Sequence, residues 1–181
     1  MSKLYFVRHG ETVWNVENKI CGATDSPLTE KGHEQAVMTA KNFLSKGVKA
    51  DLILYSPLSR AKDTAMHISE IIGVPTEPEP RLFEQCFGKY ESTPRDGQEF
   101  FEMKQKFLYR FDGGESMFQL AQRIYNLLDD LKAQPDKTFI LVAHNGIARV
   151  IHSYFYEMEN DEYAKFGIKN CEVREYDFGT N

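Results

Sequence analysis

The sequence predicts an α/β protein with a mostly parallel central sheet and helices on both of its faces. Short β-rich runs alternate with longer segments of helical periodicity along all 181 residues. Two of these runs, LYFV at 4–7 and FILVA at 139–143, are apolar at every position, which is typical of strands covered on both sides. No repeat, low-complexity tract or linker interrupts the alternation, so residues 1–181 are expected to form a single domain.

Five strands are predicted from runs rich in aliphatic, aromatic and β-branched residues. In chain order they are Lys3–Val7, Asp51–Tyr55, Val74–Glu77, Thr138–Ala143 and Glu172–Phe178. The third has the weakest pattern of the five. Because strands joined through helices form right-handed crossovers, most of these strands are expected to run parallel.

Four longer helices are predicted between the strands. They are Thr29–Leu44, Leu58–Ile72, Ser116–Ala133 and Ile147–Tyr156. Thr29 is a plausible helix cap, and Ser56 with Pro57 would supply a cap and a first-position proline. Ser116 and Gln119 stand at capping-box spacing. The charged and aromatic segment 93–111 is predicted to be a helix with loose ends.

Composition argues against several classes of protein. The formal charge of −5 disfavours a general nucleic-acid binder, which normally presents a basic face. No apolar run approaches the roughly 18 residues of a membrane span, and the first residues show no signal-peptide pattern. The three cysteines are widely spaced and form no CxxC pair, so neither a disulfide framework nor a zinc site is indicated. We therefore expect a cytoplasmic protein with no membrane or nucleic-acid partner.

Two histidines and two arginines are predicted to meet at one edge of the sheet. Arg8 and His9 directly follow the first strand, and His144 follows the fourth. Arg60 lies in the first turn of the helix after the second strand. A single strand-end histidine is more often structural than catalytic, but packing does not select two arginines, because an unpaired buried guanidinium is costly. The joint pattern at the ligand-binding edge of an open α/β sheet favours an anion site.

These residue types suit a phosphoryl group. Arginine presents a planar fork that matches phosphate oxygens, and helix N-termini offer backbone N–H groups. A neutral imidazole can attack phosphorus as a nucleophile. Such a site also needs a carboxylic acid to protonate the leaving oxygen, and RLFEQCFGKYE at 81–91 offers Glu84 and Glu91.

Five blocks of the sequence, in order, resemble the histidine phosphatase superfamily on its phosphoglycerate mutase-like branch. They are RHGETVWNVENKICGATDSPLTEKGHEQA at 8–36, SPLSRAKDTA at 56–65, RLFEQCFGKYE at 81–91, GGES at 113–116 and AHNGIAR at 143–149. The resemblance covers nearly the whole chain. It implies a three-layer α/β/α sandwich, in agreement with the strand and helix pattern.

The resemblance also implies roles for individual side chains. His9 matches the histidine that becomes phosphorylated, Glu84 matches the proton donor, and His144 completes the catalytic set. The groups that match phosphate contacts are Arg8, Asn15, Arg60 and His144. No metal and no cofactor are expected, because arginines and imidazoles supply the positive charge that magnesium provides elsewhere.

The expected activity is metal-independent hydrolysis of a small phosphorylated metabolite through a phosphohistidine. The alternatives are a cofactor-dependent phosphoglycerate mutase and a catalytically inactive relative that binds phosphorylated ligands. Mutases resemble one another in a longer insertion after the Glu84 block, whereas here only Ser92 to Gly113 separates Glu91 from GES. A mutase must keep its bound bisphosphate away from water, so the short connection favours hydrolysis.

Three further positions near the expected substrate remain open. Cys21, Gly22 and Glu91 are candidates for the pocket, with Glu91 either sharing acid–base work with Glu84 or orienting an arginine, the second being favoured.

The variable segment raises a separate alternative. Lys104, Lys106 and Arg110 could bind a second anionic group of the substrate. They could also belong to a charged helix face balanced by Glu99 and Glu102, which is the favoured interpretation.

Overall fold

The central sheet has five strands in the order β3-β2-β4-β1-β5. The computed structural model of the chain describes residues 3–179. The strands are β1 Lys3–Arg8, β2 Leu52–Tyr55, β3 Thr76–Pro78, β4 Phe139–Ala143 and β5 Val173–Asp177. Three neighbouring pairs are parallel, and only β5 runs antiparallel, against β1. The predicted α/β fold with a mostly parallel sheet is confirmed.

Seven α-helices accompany the strands within the described residues. They are α1 Val13–Val16, α2 Glu30–Ser45, α3 Ser59–Ile72, α4 Gln98–Lys104, α5 Met117–Lys132, α6 Asn145–Phe155 and α7 Asn160–Lys165. Single 3₁₀ turns lie at Pro80–Leu82 and Gly88–Tyr90. The predicted caps Thr29 and Ser116 are both present, the latter in a capping box with Gln119.

Several helix boundaries differ from the sequence prediction. Ser56 is not the cap of α3, because Leu58 takes that position without a side-chain hydrogen bond and Ser56 Oγ contacts His144 instead. Helix α6 starts at Asn145, two residues earlier than predicted, with His144 as its N-cap residue. In the 93–111 segment, only Gln98–Lys104 is α-helical.

The sheet is covered on both faces, which gives three layers. On one side, Leu4, Phe6 and Leu141 pack against α5 and α6. On the other side, Val7 and Val142 pack against the buried faces of α2 and α3. Because successive strand residues point to opposite faces, burial on both sides explains why LYFV and FILVA lack any polar alternation.

A third cluster lies apart from the two sheet faces. It consists of Ile20, Phe87, Tyr90, Phe100 and Phe111. Phe111 contacts Phe87 edge-on with ring centroids 5.3 Å apart. This cluster fixes α4 and the residues around it to the segments that follow β1 and β3. No helix among residues 3–179 is both long and apolar enough to cross a membrane.

The chain that leaves β1 passes against the first turn of α2 at a glycine contact. A Cβ added to Gly10 would lie 2.4 Å from the carbonyl oxygen of Gly32, and one added to Gly32 would lie 2.1 Å from the carbonyl oxygen of Glu11. Both obstacles are backbone atoms, which cannot move aside as a flexible side chain can. Glycine at both positions therefore allows the segment after β1 to sit against α2.

Replacing Gly32 with alanine is expected to lower the free energy of unfolding by about 2 kcal/mol, even after the gain in helix propensity. The cause is the 2.1 Å approach of the new Cβ to Glu11 O. Urea denaturation of the variant measures the change. Gly97→Ala is the matched control, because the nearest atom to its added Cβ is 3.6 Å away. Equal stabilities of the two variants would contradict this account of the contact.

Candidate active site

The chemistry-bearing side chains gather at the carboxyl ends of β1 and β4. These strands are direct neighbours, with Arg8 in register with Ala143, so His9 and His144 follow adjacent strand ends. A cavity of about 130 Å³ opens there. Its wall includes four cationic side chains, Arg8, Arg95, Lys104 and Arg149. The other lining residues are His9, Asn15, Ile20, Cys21, Glu84, Phe87, Phe100, Asn145 and Gly146.

A larger groove of about 700 Å³ lies elsewhere, beside α5, α6 and α7. Its wall is mainly aromatic and aliphatic, with Phe107, Phe118, Tyr156 and Met158 among its residues. It contains none of the sequence-predicted site residues. Size alone would favour this groove, but the convergent polar groups identify the smaller cavity as the candidate site.

His9 is buried and held in one tautomer. Its Nδ1 lies 2.7 Å from the carbonyl oxygen of Gly10. Because a carbonyl only accepts, Nδ1 carries the proton and Nε2 keeps its lone pair. Burial first, and then the positive charges of Arg60 and Arg8, hold the pKa of His9 well below its usual range. His9 is therefore a neutral imidazole at neutral pH, with Nε2 free to act as a nucleophile.

Arg8 is a half-buried cation on the cavity wall. One of its Nη groups donates to the carbonyl oxygen of Ile168, while Nε has no hydrogen-bond partner among residues 3–179. Burial lowers the pKa of Arg8 to about 10, so the guanidinium keeps its charge at neutral pH. A buried, unpaired guanidinium N–H is suited to an anionic ligand.

Two asparagines are oriented so that their amino groups remain available. The Oδ1 atom of Asn15 accepts from Thr12 N and from Asn170 Nδ2, each at 3.1 Å. The Oδ1 atom of Asn145 accepts from Ile168 N at 2.9 Å. With both oxygens engaged, the Nδ2 groups of Asn15 and Asn145 are the donors left for a ligand in the cavity.

Glu84 is buried, and its carboxylate is fixed by two backbone donors. Oε2 accepts from Gly146 N and Oε1 from Gln85 N, both at 2.9 Å. Gly146 belongs to the first turn of α6, and a Cβ there would lie 2.3 Å from Glu84 Oε1. Glycine at 146 thus lets the carboxylate approach the start of the helix.

Arg60 and His144 lie behind His9 and take no part in the cavity wall formed by the described residues. Arg60 is almost fully buried, and its Nε donates to His144 Nδ1 at 3.2 Å. His144 Nε2 therefore carries the proton and donates to Ser56 Oγ at 2.7 Å. The His9 and His144 ring centroids are 5.2 Å apart. The predicted gathering of these groups is present, but both ring nitrogens of His144 are bonded to protein atoms.

The remaining donors of Arg60 go to a loop that Glu91 holds. Arg60 donates from Nη2 to Gly22 O at 2.7 Å and from Nη1 to Thr24 O at 3.0 Å. The Glu91 carboxylate accepts from the N–H groups of Gly22, Ala23, Thr24 and Phe87, at 2.9–3.3 Å. Glu91 thus holds the loop backbone whose carbonyls accept from Arg60, and it contacts no arginine itself within the described residues.

Cys21 and Gly22 occupy different places near the cavity. Cys21 lines it, and burial raises the pKa of its thiol to about 11, so the thiol is protonated at neutral pH. Gly22 contributes its carbonyl to Arg60 instead of lining the cavity.

The favoured interpretation of Lys104 is wrong. This side chain is half-buried and lines the cavity, whereas Lys106 and Arg110 are exposed. Sequence reasoning also missed Asn145, Arg95 and Arg149 as cavity residues. A signal existed for Arg149, because its i+4 spacing from Asn145 places both on one helix face. Arg95 and Lys104 reach the site through the path of the 93–111 segment, which carries no such periodic signal.

No group of three or more histidine, cysteine or acidic side chains suited to a metal ion occurs within the described part of the chain.

Comparisons with known proteins find relatives over nearly the whole chain. The sequence model of the histidine phosphatase superfamily (branch 1) matches residues 4–181. A Hydrogenobacter thermophilus protein provisionally named a phosphoserine phosphatase is 34% identical over 83% of this chain and 77% of its own. A Yersinia pestis protein provisionally named a phosphoglycerate mutase is 31% identical over 98% of this chain and 86% of its own.

Solved structures are similar over almost the full length. The phosphoserine phosphatase of Entamoeba histolytica, in complex with 3-phosphoglyceric acid, superposes with a TM-score of 0.82 at 31% identity, covering 97% of this chain and 90% of its own. A mycobacterial glucosyl-3-phosphoglycerate phosphatase in complex with VO3 gives a TM-score of 0.85 at 26% identity, covering 98% and 94%.

Because His9 is buried in its neutral form, the free energy of unfolding should depend on pH. Between about pH 7.5 and about pH 5.5 the unfolded chain protonates this histidine and the folded chain does not, so stability falls as pH falls, by about 1 kcal/mol for one histidine. His9→Asn should remove that share of the decline, measured by urea denaturation at both pH values. Acidic groups with lowered pKa, such as Glu79, contribute equally in both proteins. The same decline in wild type and variant would show that His9 is protonated in the folded state.

Proposed function

This chain belongs to the histidine phosphatase superfamily, in which it is a phosphatase, and we propose that it hydrolyses small phosphomonoesters through a phosphohistidine formed on His9. One observation carries the proposal. The Nδ1–H of His9 is bound to Gly10 O, which leaves the Nε2 lone pair beside a cationic cavity wall. A neutral, oriented imidazole next to arginine is what nucleophilic attack on phosphorus requires.

In the first step, His9 Nε2 attacks phosphorus and the bond to the ester oxygen breaks. Glu84, in its protonated form, gives its proton to that oxygen, so the product leaves as an alcohol. In the second step, water attacks the phosphohistidine and the P–N bond breaks. The Glu84 carboxylate takes a proton from this water, which returns Glu84 to its starting form and releases inorganic phosphate.

Charge that develops on the phosphoryl oxygens is stabilised by groups already in place. Arg8 offers its unpaired Nε, and Asn15 and Asn145 offer their amino groups. Arg60 and His144 add positive charge and a polar ring directly behind His9. A direct contact from either of them to a phosphoryl oxygen would require it to exchange one of its hydrogen bonds to protein atoms.

The volume of the site supports a small substrate. Pockets for drug-sized ligands measure roughly 300–1,000 Å³, whereas this cavity measures about 130 Å³. That space suits a phosphoryl group and a few further atoms. We also place the protein in the cytoplasm, which is consistent with three cysteines that are all free.

Phosphoglycerate mutase activity is the second candidate, because a relative provisionally named as such covers 98% of this chain. A mutase would need priming by a bisphosphorylated compound and would move phosphate between carbons without releasing it. Isomerisation of 3-phosphoglycerate, followed together with free phosphate, distinguishes the two reactions.

His9→Ala is expected to reduce phosphate release by roughly a thousandfold or more, because the variant has no imidazole on the described cavity wall to attack phosphorus. The assay uses p-nitrophenyl phosphate, sugar phosphates and 3-phosphoglycerate in excess EDTA, and release by the wild type should survive the chelator. His33→Ala is a matched control, since His33 lies outside the cavity and pairs with His67. Substantial turnover by His9→Ala would refute its role as nucleophile.

Glu84→Gln is expected to slow alkyl phosphates by roughly 100-fold or more while slowing p-nitrophenyl phosphate far less. The reason is that p-nitrophenolate leaves without protonation, whereas an alkoxide does not. The ratio of kcat values for the two substrates measures the effect, and Glu70→Gln, an exposed position on α3, serves as the control. Equal slowing of both substrates would show that Glu84 is not the general acid.

A further inference from the structure

The cavity holds more positive charge than one phosphoryl group requires. Arg8, Arg95, Lys104 and Arg149 all line it, and Glu84 is the single carboxylate on the wall formed by the described residues. Arg8 and the two asparagine amino groups already serve the phosphoryl oxygens beside His9. The other three cations therefore lack an assigned partner in the proposed hydrolysis.

Arg149 is the most deeply buried of these three. It projects from α6 with 7% of its surface exposed, and its guanidinium lies 5.7 Å from the centre of the Tyr163 ring. Nη2 donates to Phe166 O at 3.2 Å, but Nε has no hydrogen-bond partner among residues 3–179. None of the ion pairs found in this part of the chain includes Arg149. Leaving such a donor buried and unpaired is costly, so its retention at a ligand cavity indicates a ligand.

Lys104 reaches the cavity from a different segment of the chain, because it is the last residue of α4. Its Nζ lies 5.5 Å from the centre of the Phe100 ring, and no ion pair within residues 3–179 includes it. Burial, with the nearby positive charge of Arg149, lowers the pKa of Lys104 to about 7. Arg149 and Lys104 are thus two neighbouring basic side chains, and the one carboxylate near both of them, Glu84, is held by the backbone N–H groups of Gln85 and Gly146.

We propose that Lys104 and Arg149 form a subsite for a second anionic group of carboxylate size, carried by the substrate a few bonds from the phosphate that is removed. This inference rests on the proposed hydrolysis at His9 for the position of the phosphate. A planar guanidinium can bind both carboxylate oxygens, and a lysine adds a compact charge. The small cavity restricts the spacer to a few atoms. Arg95, which is exposed and also donates to Lys19 O, stands at the rim.

The test compares two substrates that differ only in this group. 3-Phosphoglycerate has a carboxylate where glycerol 3-phosphate has a hydroxymethyl group. We expect wild-type kcat/KM to favour 3-phosphoglycerate by roughly 10- to 100-fold, the effect of a hydrogen bond to a charged group. Phosphoserine and phosphoethanolamine form a second pair, in which a hydrogen atom replaces the carboxylate.

The preference ratio, not the absolute rate, is the readout for the variants. Lys104→Met and Arg149→Met should each bring the ratio close to one, and Lys104→Arg should restore most of it. Lys106→Met is the matched control, because this lysine is exposed two residues from Lys104 and does not line the cavity. It should keep the wild-type ratio.

The subsite and the hydrolysis can fail separately. A ratio near one in the wild type, or an unchanged ratio in Lys104→Met, overturns the subsite while hydrolysis that depends on His9 stands. Calorimetric titration of His9→Ala with the two esters measures the same preference without turnover. If this binding preference is present and lost in His9→Ala/Lys104→Met, the subsite is supported even where the wild type hydrolyses neither ester. If it is absent, the subsite is refuted.

Discussion

The parallel pairing of β1 with β4 is the constraint on which the site depends. Arg8 stands in register with Ala143, and the His9 N–H donates to Ala143 O at 2.9 Å. The two strand-end histidines therefore lie side by side. A shift of one residue would exchange the faces of every side chain in a strand. Since Phe6 packs against one helical layer and Val7 against the other, the register is fixed by burial on both sides, and the position of His9 is fixed with it.

Positive charge in the site is divided between two kinds of arginine. Arg60 is bonded to backbone carbonyls that Glu91 holds in place, so its charge is a permanent part of the scaffold. Arg8 and Arg149 each keep an Nε without a partner among the described residues. The scaffold charge disfavours protonation of His9, which preserves the nucleophile, and it favours the negative charge that develops on the phosphoryl group. One arrangement thus serves both needs of the proposed reaction.

The sequence predicted those parts of the molecule that local patterns determine. All five strands, the four longer helices and the capping pair Ser116 and Gln119 follow from apolar periodicity and cap chemistry. The gathering of Arg8, His9, Arg60 and His144 follows from the rule that parallel strands share a carboxyl edge. The depth of each group within the site could not be predicted, because it depends on hydrogen bonds between distant segments. Arg60 and His144 are hydrogen-bonded to Gly22 and Ser56 and do not line the cavity, and no sequence spacing reveals these contacts.

The segment 93–111 is a second region whose contribution to the site could not be predicted from sequence patterns. It also indicates where substrate specificity arises. As a sequence it is a charged and aromatic stretch, and only contact with distant residues turns Lys104 inward. Phe100 and Phe111 join the cluster with Ile20 and Phe87, so α4 is anchored to the segments that carry the chemistry without belonging to the sheet. Groups presented by such a segment can change while the strand ends and α6 stay as they are. The proposed nucleophile, proton donor and phosphate contacts are therefore carried by the scaffold. In the proposed subsite, this anchored segment together with Arg149 decides whether a hydroxyl or an anion is accepted beside the phosphate.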